Sequence, residues 1–221
     1  MHRVLRENGL TLAVLGLFLI SIVGQIVMGN LEYNADQQDH GQPTVGIAKY
    51  LTTGHFMEAV FENWESEFLQ MGLYVVLTAF LYQKGSAESK SLDGDEAVEE
   101  DPRKAQNRAD APWPVRQGGL ILKLYEHSLS FALLVLFVLS FFLHAAGGAR
   151  EYSQEQMLHG GAAVSTLSYL GTSRFWFESF QNWQSEFLSI GVLVILSIFL
   201  RERGSPQSKP VAAPHSEAGE S

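Results

Sequence analysis

The sequence predicts an all-α integral membrane protein with four transmembrane helices, arranged as two parallel two-helix repeats. Three observations support this class: the apolar residues lie in separate blocks, the chain aligns with itself, and basic residues are concentrated in alternate loops. A soluble protein of 221 residues would spread its apolar residues along the chain to form a core. The apolar blocks are residues 10–28, 68–82, 129–146 and 187–200.

The length of each block shows which residues its helix must include. About 20 helical residues cross a bilayer core of about 30 Å, and the first and third blocks come close to that length. The second and fourth blocks cover only about 22 and 21 Å at about 1.5 Å per residue, so each helix needs about one and a half more turns. Those turns carry a repeated motif, ENWESEFLQMG at 62–72 and QNWQSEFLSIG at 181–191.

The motif belongs to a duplication of nearly the whole chain. A shift of 119 places aligns residues 5–90 with 124–209, and 35 of the 86 aligned positions are identical without a gap. Each copy contains a long apolar helix, an outer segment of about forty residues and a shorter apolar helix. The predicted organisation is a first membrane repeat at 1–90 with helices at about 10–28 and 56–82, a linker at 91–117, a second repeat at 118–204 with helices at about 124–146 and 175–201, and a tail at 205–221.

The linker and the tail are predicted to be disordered and cytoplasmic. The linker has an acidic part that includes Asp93 and Asp95 and a basic part that contains proline, a composition with too few apolar residues to form a core. The tail is rich in Ser, Pro, Ala and Glu. Lys and Arg are concentrated at the N-terminus, in the linker region and in the tail, which places both termini and the linker in the cytoplasm.

The first apolar block has two interpretations. Arg3 and Arg6 followed by an apolar stretch are typical of a signal peptide. The repeat-related stretch at 129–143 lies in the middle of the chain, where a signal peptide cannot be. We therefore expect the first block to be a retained transmembrane helix.

The repeated motif is the candidate functional site, because helix length places it in or near the membrane. The polar residues of each copy share one helix face. They are Asn63, Ser66 and Glu67 in the first copy and Asn182, Ser185 and Glu186 in the second. Counting along the long helices places Gln25 level with Glu67 and His144 level with Glu186. The sequence thus predicts a polar layer in the outer leaflet, with two interfacial anchors, Trp64 and Trp183.

This polar layer has three interpretations, and the sequence leaves them open. A carboxylate beside a histidine in a membrane can exchange protons near neutral pH or hold a cation, which favours proton or small-cation conduction or sensing. The same groups can instead form interhelical hydrogen bonds of about 0.6 kcal/mol each in a structural or partner-binding module without transport activity. The motif can also lie above a locally thinned bilayer, with Glu67 as a solvated acid at the interface.

Four residues of the outer segments are candidate metal ligands. His40 and His159 recur with Glu32 and Glu151, and together they offer imidazole and carboxylate groups to a divalent ion. Their spacing matches no compact metal motif. The sequence therefore favours a role in structuring the loops, and no metal or other cofactor is assigned.

The outer segments also carry signals for local structure. Residues 44–53 and 162–172 are moderately apolar and are predicted to form short interfacial helices. Thr53 and Thr172 are expected to cap the helices that follow them.

Composition and motifs argue against several classes of function. The chain has no cysteine, so it contains no disulfide and no thiolate metal site. A net charge of −9 argues against binding to nucleic acid. Hydrolase, metalloprotease, phosphate-loop and dinucleotide motifs are missing, so no enzymatic activity is assigned.

The expected partners are the lipid bilayer and a second copy of the chain, because four helices line at best a narrow path; no protein partner is identified.

The motifs also carry a resemblance. The paired Asn-Trp-x-Ser-Glu-Phe-Leu and the stretch FWFESFQNWQSEFLSIGVLVILSIFLRERGSPQSKPV resemble an uncharacterised family of small bacterial integral membrane proteins known only as a domain of unknown function. The resemblance covers nearly the whole chain. It implies a multi-pass protein of the bacterial cytoplasmic (inner) membrane and brings no activity, substrate or catalytic residue.

Overall fold

The computed structural model describes residues 2–92 and 96–217, with side chains from Val4 onward. The Arg3 side chain, Asp93 and Asp95 of the predicted linker, and the last residues of the predicted tail, 218–221, lie outside the described residues. Within the described ranges the chain is helical and contains no β-strand. The predicted all-α class is therefore confirmed.

Eight α-helices follow one another along the described chain. They are α1 (His2–Asp39), α2 (Ile47–Tyr50), α3 (Gly54–Phe80), α4 (Trp113–Gln117), α5 (Gly119–Glu126), α6 (Ser128–Leu158), α7 (Thr166–Leu170) and α8 (Ser173–Phe199). Two 3₁₀ turns, Ala97–Glu99 and Pro102–Ala105, lie between α3 and α4.

Three helices of the described chain are long and apolar enough to cross a membrane. They are α1 over Val4–Asp39, α6 and α8. None of the most apolar 18-residue stretch of α1 is buried within the chain, as expected of a surface that lipid covers. Helix α3 also has 27 residues, but its N-terminal half contains several glutamates. A fourth span therefore stays a prediction.

The two long helices continue about three turns beyond the predicted ends at residues 28 and 146. An apolar block marks the thickness of the lipid, whereas a helix ends where its backbone is interrupted. The interruptions are Gly41 and Gly160, whose φ angles are 67° and 76°, a conformation that glycine adopts without strain. Around Gly41 the N–H of Gln42 bonds the carbonyl of Gln37 at 2.7 Å, and the second copy repeats this bond.

The predicted third helix is divided in two. Residues 124–146 were expected to form one helix, but His127, with φ −115° and ψ 13°, separates α5 from α6. Leu122 of α5 is buried together with Ala111 and Val115 of the predicted linker. These apolar residues therefore pack together at the end of the predicted linker.

The two short helices and their caps are confirmed. Helices α2 and α7 lie within the segments predicted for them. The hydroxyl oxygen of Thr53 accepts the N–H of Phe56 at 3.2 Å, and that of Thr172 accepts the N–H of Phe175 at 3.3 Å. Threonine at these positions satisfies an N–H group that the first turn of α3 or α8 would otherwise leave unpaired.

The chain forms two compact units, which are described separately. Unit one comprises Met1–Glu62 and Phe141–Trp176, and unit two comprises Asn63–Ser140 and Phe177–Ser221. The core of unit one contains Ala145, Ala149, Tyr169 and Phe175. The core cluster of unit two is the group around Leu122.

Candidate functional site

A buried polar cluster of unit one is centred on Glu58. This residue lies in the first turns of α3 and is only 8% exposed. The hydroxyl of Tyr169, from α7, donates to Glu58 Oε1 at 3.2 Å, and the Tyr169 side chain is fully buried. A carboxyl group in such a place requires polar partners, because burying a charge without them is costly.

His144 of α6 completes this cluster. Its ring is fully buried, and one of its nitrogens lies within 4.8 Å of a carboxylate oxygen of Glu58. The ring of Phe175 lies against it, with centroids 4.8 Å apart. Carboxyl, imidazole and phenol groups at this spacing can share or exchange a proton, since the unperturbed imidazole titrates near pH 6.5. We refer to Glu58, His144 and Tyr169 as the Glu58 cluster.

Gln25, the repeat-related counterpart of His144, also lies in unit one. It is half-buried and its amide donates to the carbonyl oxygen of Ala59 at 3.4 Å. Both predicted residues of the long helices are therefore directed towards α3, Gln25 through this bond and His144 through Glu58.

In unit two, the fully buried acid of the motif is Glu65. The indole N–H of Trp183 donates to Glu65 Oε1 at 3.1 Å. The neighbouring Ser66 is 2% exposed and donates to the carbonyl of Asn63 at 2.8 Å. Trp183, predicted as an interfacial anchor, thus joins α8 to α3.

The predicted carboxylate pair lies at the same contact between α3 and α8. Glu67 is exposed on the single chain and Glu186 is half-buried, and the two carboxylates interact electrostatically. The amide of Gln70 donates to the carbonyl of Glu186 at 3.3 Å and to the hydroxyl of Ser189 at 3.4 Å. Glu67 and Glu186, one residue of each predicted stripe, are therefore near each other where α3 contacts α8.

The remaining predicted residues make local contacts. Asn63 is exposed, Asn182 donates to the carbonyl of Glu178 at 3.1 Å, and Ser185 donates to the carbonyl of Asn182 at 2.8 Å. Trp64 is half-buried and packs edge-on against Phe68, with ring centroids 6.5 Å apart.

The two buried acids, Glu58 and Glu65, were not predicted from the sequence. Glu58 and Glu65 are seven residues apart and so lie near one face of α3. They become Phe177 and Gln184 in the second copy, so the search for recurring acids rejected them. The seven-residue spacing was the signal that could have identified them.

Unit one also contains a polar cavity of about 270 Å³. The four candidate metal ligands of the outer segments all line it, and its other titratable lining residues are Tyr33, Asp36, His55 and Glu155. Glu32 is paired with His55 Nε2 at 3.0 Å, and Glu155 forms an ion pair with Arg174. We call this space the histidine cavity.

His55 also contacts Tyr50. Burial, followed by the negative charge of Glu32, raises the pKa of the Tyr50 phenol above its usual range, so the phenol keeps its proton. Its oxygen lies 3.2 Å from His55 Nδ1, while His55 Nε2 lies 3.0 Å from Glu32 Oε2. His55 therefore links the Tyr50 phenol to the Glu32 carboxylate.

These features are consistent with a helical integral membrane protein: three membrane-capable helices in the described chain, with carboxylates and a histidine buried among the helices. The chain belongs to the family described as Domain of unknown function (DUF6766), which matches residues 1–220. Among curated proteins and among solved structures, nothing matches the chain.

Proposed function

We propose that the protein is a four-span membrane protein of two parallel repeats in the bacterial cytoplasmic membrane, with both termini inside. Support for the fourth span comes from α3, which has the same 27-residue length as α8 and begins and ends at repeat-related residues. At about 1.5 Å per residue either helix covers about 40 Å, enough for a bilayer core of about 30 Å. The basic termini and linker support the orientation.

The function we assign to it is conduction or sensing of protons or small cations. The observation that carries this function is the Glu58 cluster: a carboxylate 8% exposed, within 4.8 Å of a fully buried imidazole and bonded to a fully buried phenol. Ionisable groups in membrane helices are costly and mark ion or proton pathways. Gain or loss of one proton by this cluster changes the charge in a site that water scarcely reaches, and so biases the packing of α3 against α6 and α7.

The carboxylate pair of Glu67 and Glu186 supports the same function. Glu67 is exposed on the single chain although it lies in the predicted span, so in the membrane a water-filled path or a second copy must cover it. Two carboxylates near each other can hold a cation between them. A homodimer accounts for both features, because it would enclose Glu67 and widen the path.

Purified protein in liposomes loaded with a pH-sensitive dye tests conduction. Wild-type protein should pass protons or small cations down an imposed gradient, and both Glu58→Gln and the double variant Glu67→Gln with Glu186→Gln should lose this flux. Glu62→Gln is the matched control, because the second copy already has Gln181 at that position. Sensing is tested by tryptophan fluorescence between about pH 5 and 8, where the response should disappear in His144→Gln. Absence of both flux and fluorescence response in wild-type protein would refute the function.

A second candidate function is structural, and Glu65 favours it. This carboxylate is fully buried and bonded to Trp183 across two helices, the role expected of interhelical hydrogen bonding. In a structural module, liposomes would show no flux, and the carboxylate variants would lose stability and not activity. The same set of variants thus separates the two functions.

A further inference from the structure

We propose that the histidine cavity binds one divalent transition-metal ion, of the class of Zn²⁺, through the Nε2 atoms of His40 and His159 and the carboxylate of Asp36. This site is separate from the Glu58 cluster and goes beyond the proposed function. His40 follows the last turn of α1 and His159 follows the last turn of α6, and both line the cavity.

The hydrogen bonds of the two histidines prepare them as ligands. His40 Nδ1 lies 2.9 Å from the carbonyl oxygen of Asp36, and His159 Nδ1 lies 2.8 Å from that of Glu155. A carbonyl oxygen only accepts, so each Nδ1 carries a hydrogen and Nε2 is the nitrogen left to bind a metal. Metal-binding histidines are commonly held in this way, with the second ring N–H donated to a backbone carbonyl.

The two rings are also close enough to share an ion. Their centroids are 6.3 Å apart and their planes are inclined by 75°. Two imidazoles on one tetrahedral Zn²⁺, with Zn–N bonds of about 2.1 Å, have centroids about 5 Å apart. The side chain of His40 is 40% exposed, so its ring has room to move about 1 Å towards His159.

Carboxylates complete the set of ligands. Asp36 is one turn before His40 on α1, and its Oδ1 lies 3.4 Å from His40 Nδ1. To bind an ion held by Nε2, the Asp36 carboxylate has to rotate towards the other side of the ring. Glu151 lines the same cavity, and its Oε2 atom is buried without a hydrogen-bond partner. Glu32 and Glu155 are already paired with His55 and Arg174. Two imidazoles with one or two carboxylates suit Zn²⁺ and neighbouring transition metals better than Ca²⁺ or Mg²⁺, which prefer oxygen ligands.

The cavity volume agrees with a metal and its water. About 270 Å³ exceeds the space of a bare ion and accommodates several water molecules at about 30 Å³ each. An ion with three protein ligands keeps an open coordination position, which water can fill.

Metal binding by the purified, untagged full-length protein tests the site. After treatment with EDTA, the protein is titrated with Zn²⁺ by calorimetry and with Co²⁺ by visible absorption, which reports nitrogen ligation. We expect one ion per chain, with affinity at least tenfold weaker in His40→Ala and in His159→Ala. His127→Ala is the matched control: this exposed histidine between α5 and α6 does not line the cavity, and its replacement should leave the affinity unchanged.

Further variants assign the binding to this cavity. Glu58→Gln should also bind normally, which separates this site from the Glu58 cluster. Circular dichroism monitors folding, and His40→Gln replaces His40→Ala if the alanine variant unfolds. Wild-type protein that binds neither ion would overturn the proposal, and so would a folded double variant at His40 and His159 that binds as tightly as wild type.

Discussion

The ring of Tyr169 lies directly over Gly148, so closely that a Cβ atom on this glycine would be 2.5–2.7 Å from three ring and hydroxyl atoms. Real Cβ atoms essentially never make contacts this short. The same ring donates to Glu58 through its hydroxyl. Gly148 on α6 therefore leaves the space in which the Tyr169 ring lies when its hydroxyl bonds to Glu58.

Gly148→Ala should destabilise the protein by about 1–3 kcal/mol, because overpacking displaces a fully buried ring. Thermal unfolding in detergent measures the loss. Gly24→Ala is the matched control on α1: nothing lies within 4 Å of a Cβ there, and alanine favours helix by up to about 1 kcal/mol. Equal unfolding temperatures for the two variants would contradict the contact.

Trp183→Phe should cost about 1–3 kcal/mol, because it removes a donor from the fully buried carboxylate of Glu65. Denaturation in mixed detergent measures the effect. Trp113→Phe serves as control, since that indole is 57% exposed. Glu65→Gln should cost less than Trp183→Phe, because glutamine keeps an acceptor oxygen and is the residue in the second copy; the reverse order would show that the indole bond contributes little.

Thr53→Ala and Thr172→Ala should each cost about 0.5–2 kcal/mol through loss of an N-cap. Each threonine also donates to a tyrosine carbonyl at 2.7 Å, Tyr50 for the first and Tyr169 for the second. Serine keeps both bonds, so Thr→Ser at either position should retain most of the stability. Unfolding curves in which alanine and serine variants coincide would exclude capping as the reason for threonine.

The predicted topology can be tested with single cysteines, because the chain has none of its own. Ala163 lies in the outer segment between α6 and α7, and Ala97 lies in the linker; both are exposed. On intact spheroplasts, a membrane-impermeant maleimide should label Ala163→Cys and leave Ala97→Cys unlabelled until the membrane is opened. Labelling of both in intact spheroplasts would contradict a cytoplasmic linker.

The elements that the sequence predicted best are those set by short-range chemistry. A threonine before a helix caps it in either copy, and moderately apolar segments become α2 and α7. The ends of α1 and α6 were less predictable, because hydropathy changes at residue 28 while the helix continues to Gly41. Polar residues such as Gln37 favour helix as well as apolar ones do, so composition does not mark the end.

The repeat does not predict which of the acidic side chains are buried. Comparison of the two copies favoured Glu67 as the functional acid, because it recurs as Glu186. The fully buried acid is instead Glu65, whose counterpart in the second copy is Gln184. Residues that recur in both copies are mainly those that form the shared helical framework. Which acid faces a tyrosine or an indole depends on how α3 is rotated against its neighbours, and this rotation depends on packing that no single helix encodes.

The glycines that end α1 and α6 have an electrostatic consequence. Gly41 and Gly160 stop their helices immediately after His40 and His159, whose rings are 6.3 Å apart. The carboxyl end of each helix carries the negative pole of its macrodipole, about half an elementary charge. Two such poles brought together create a negative potential that attracts a positive ion before any side chain contributes its own charge.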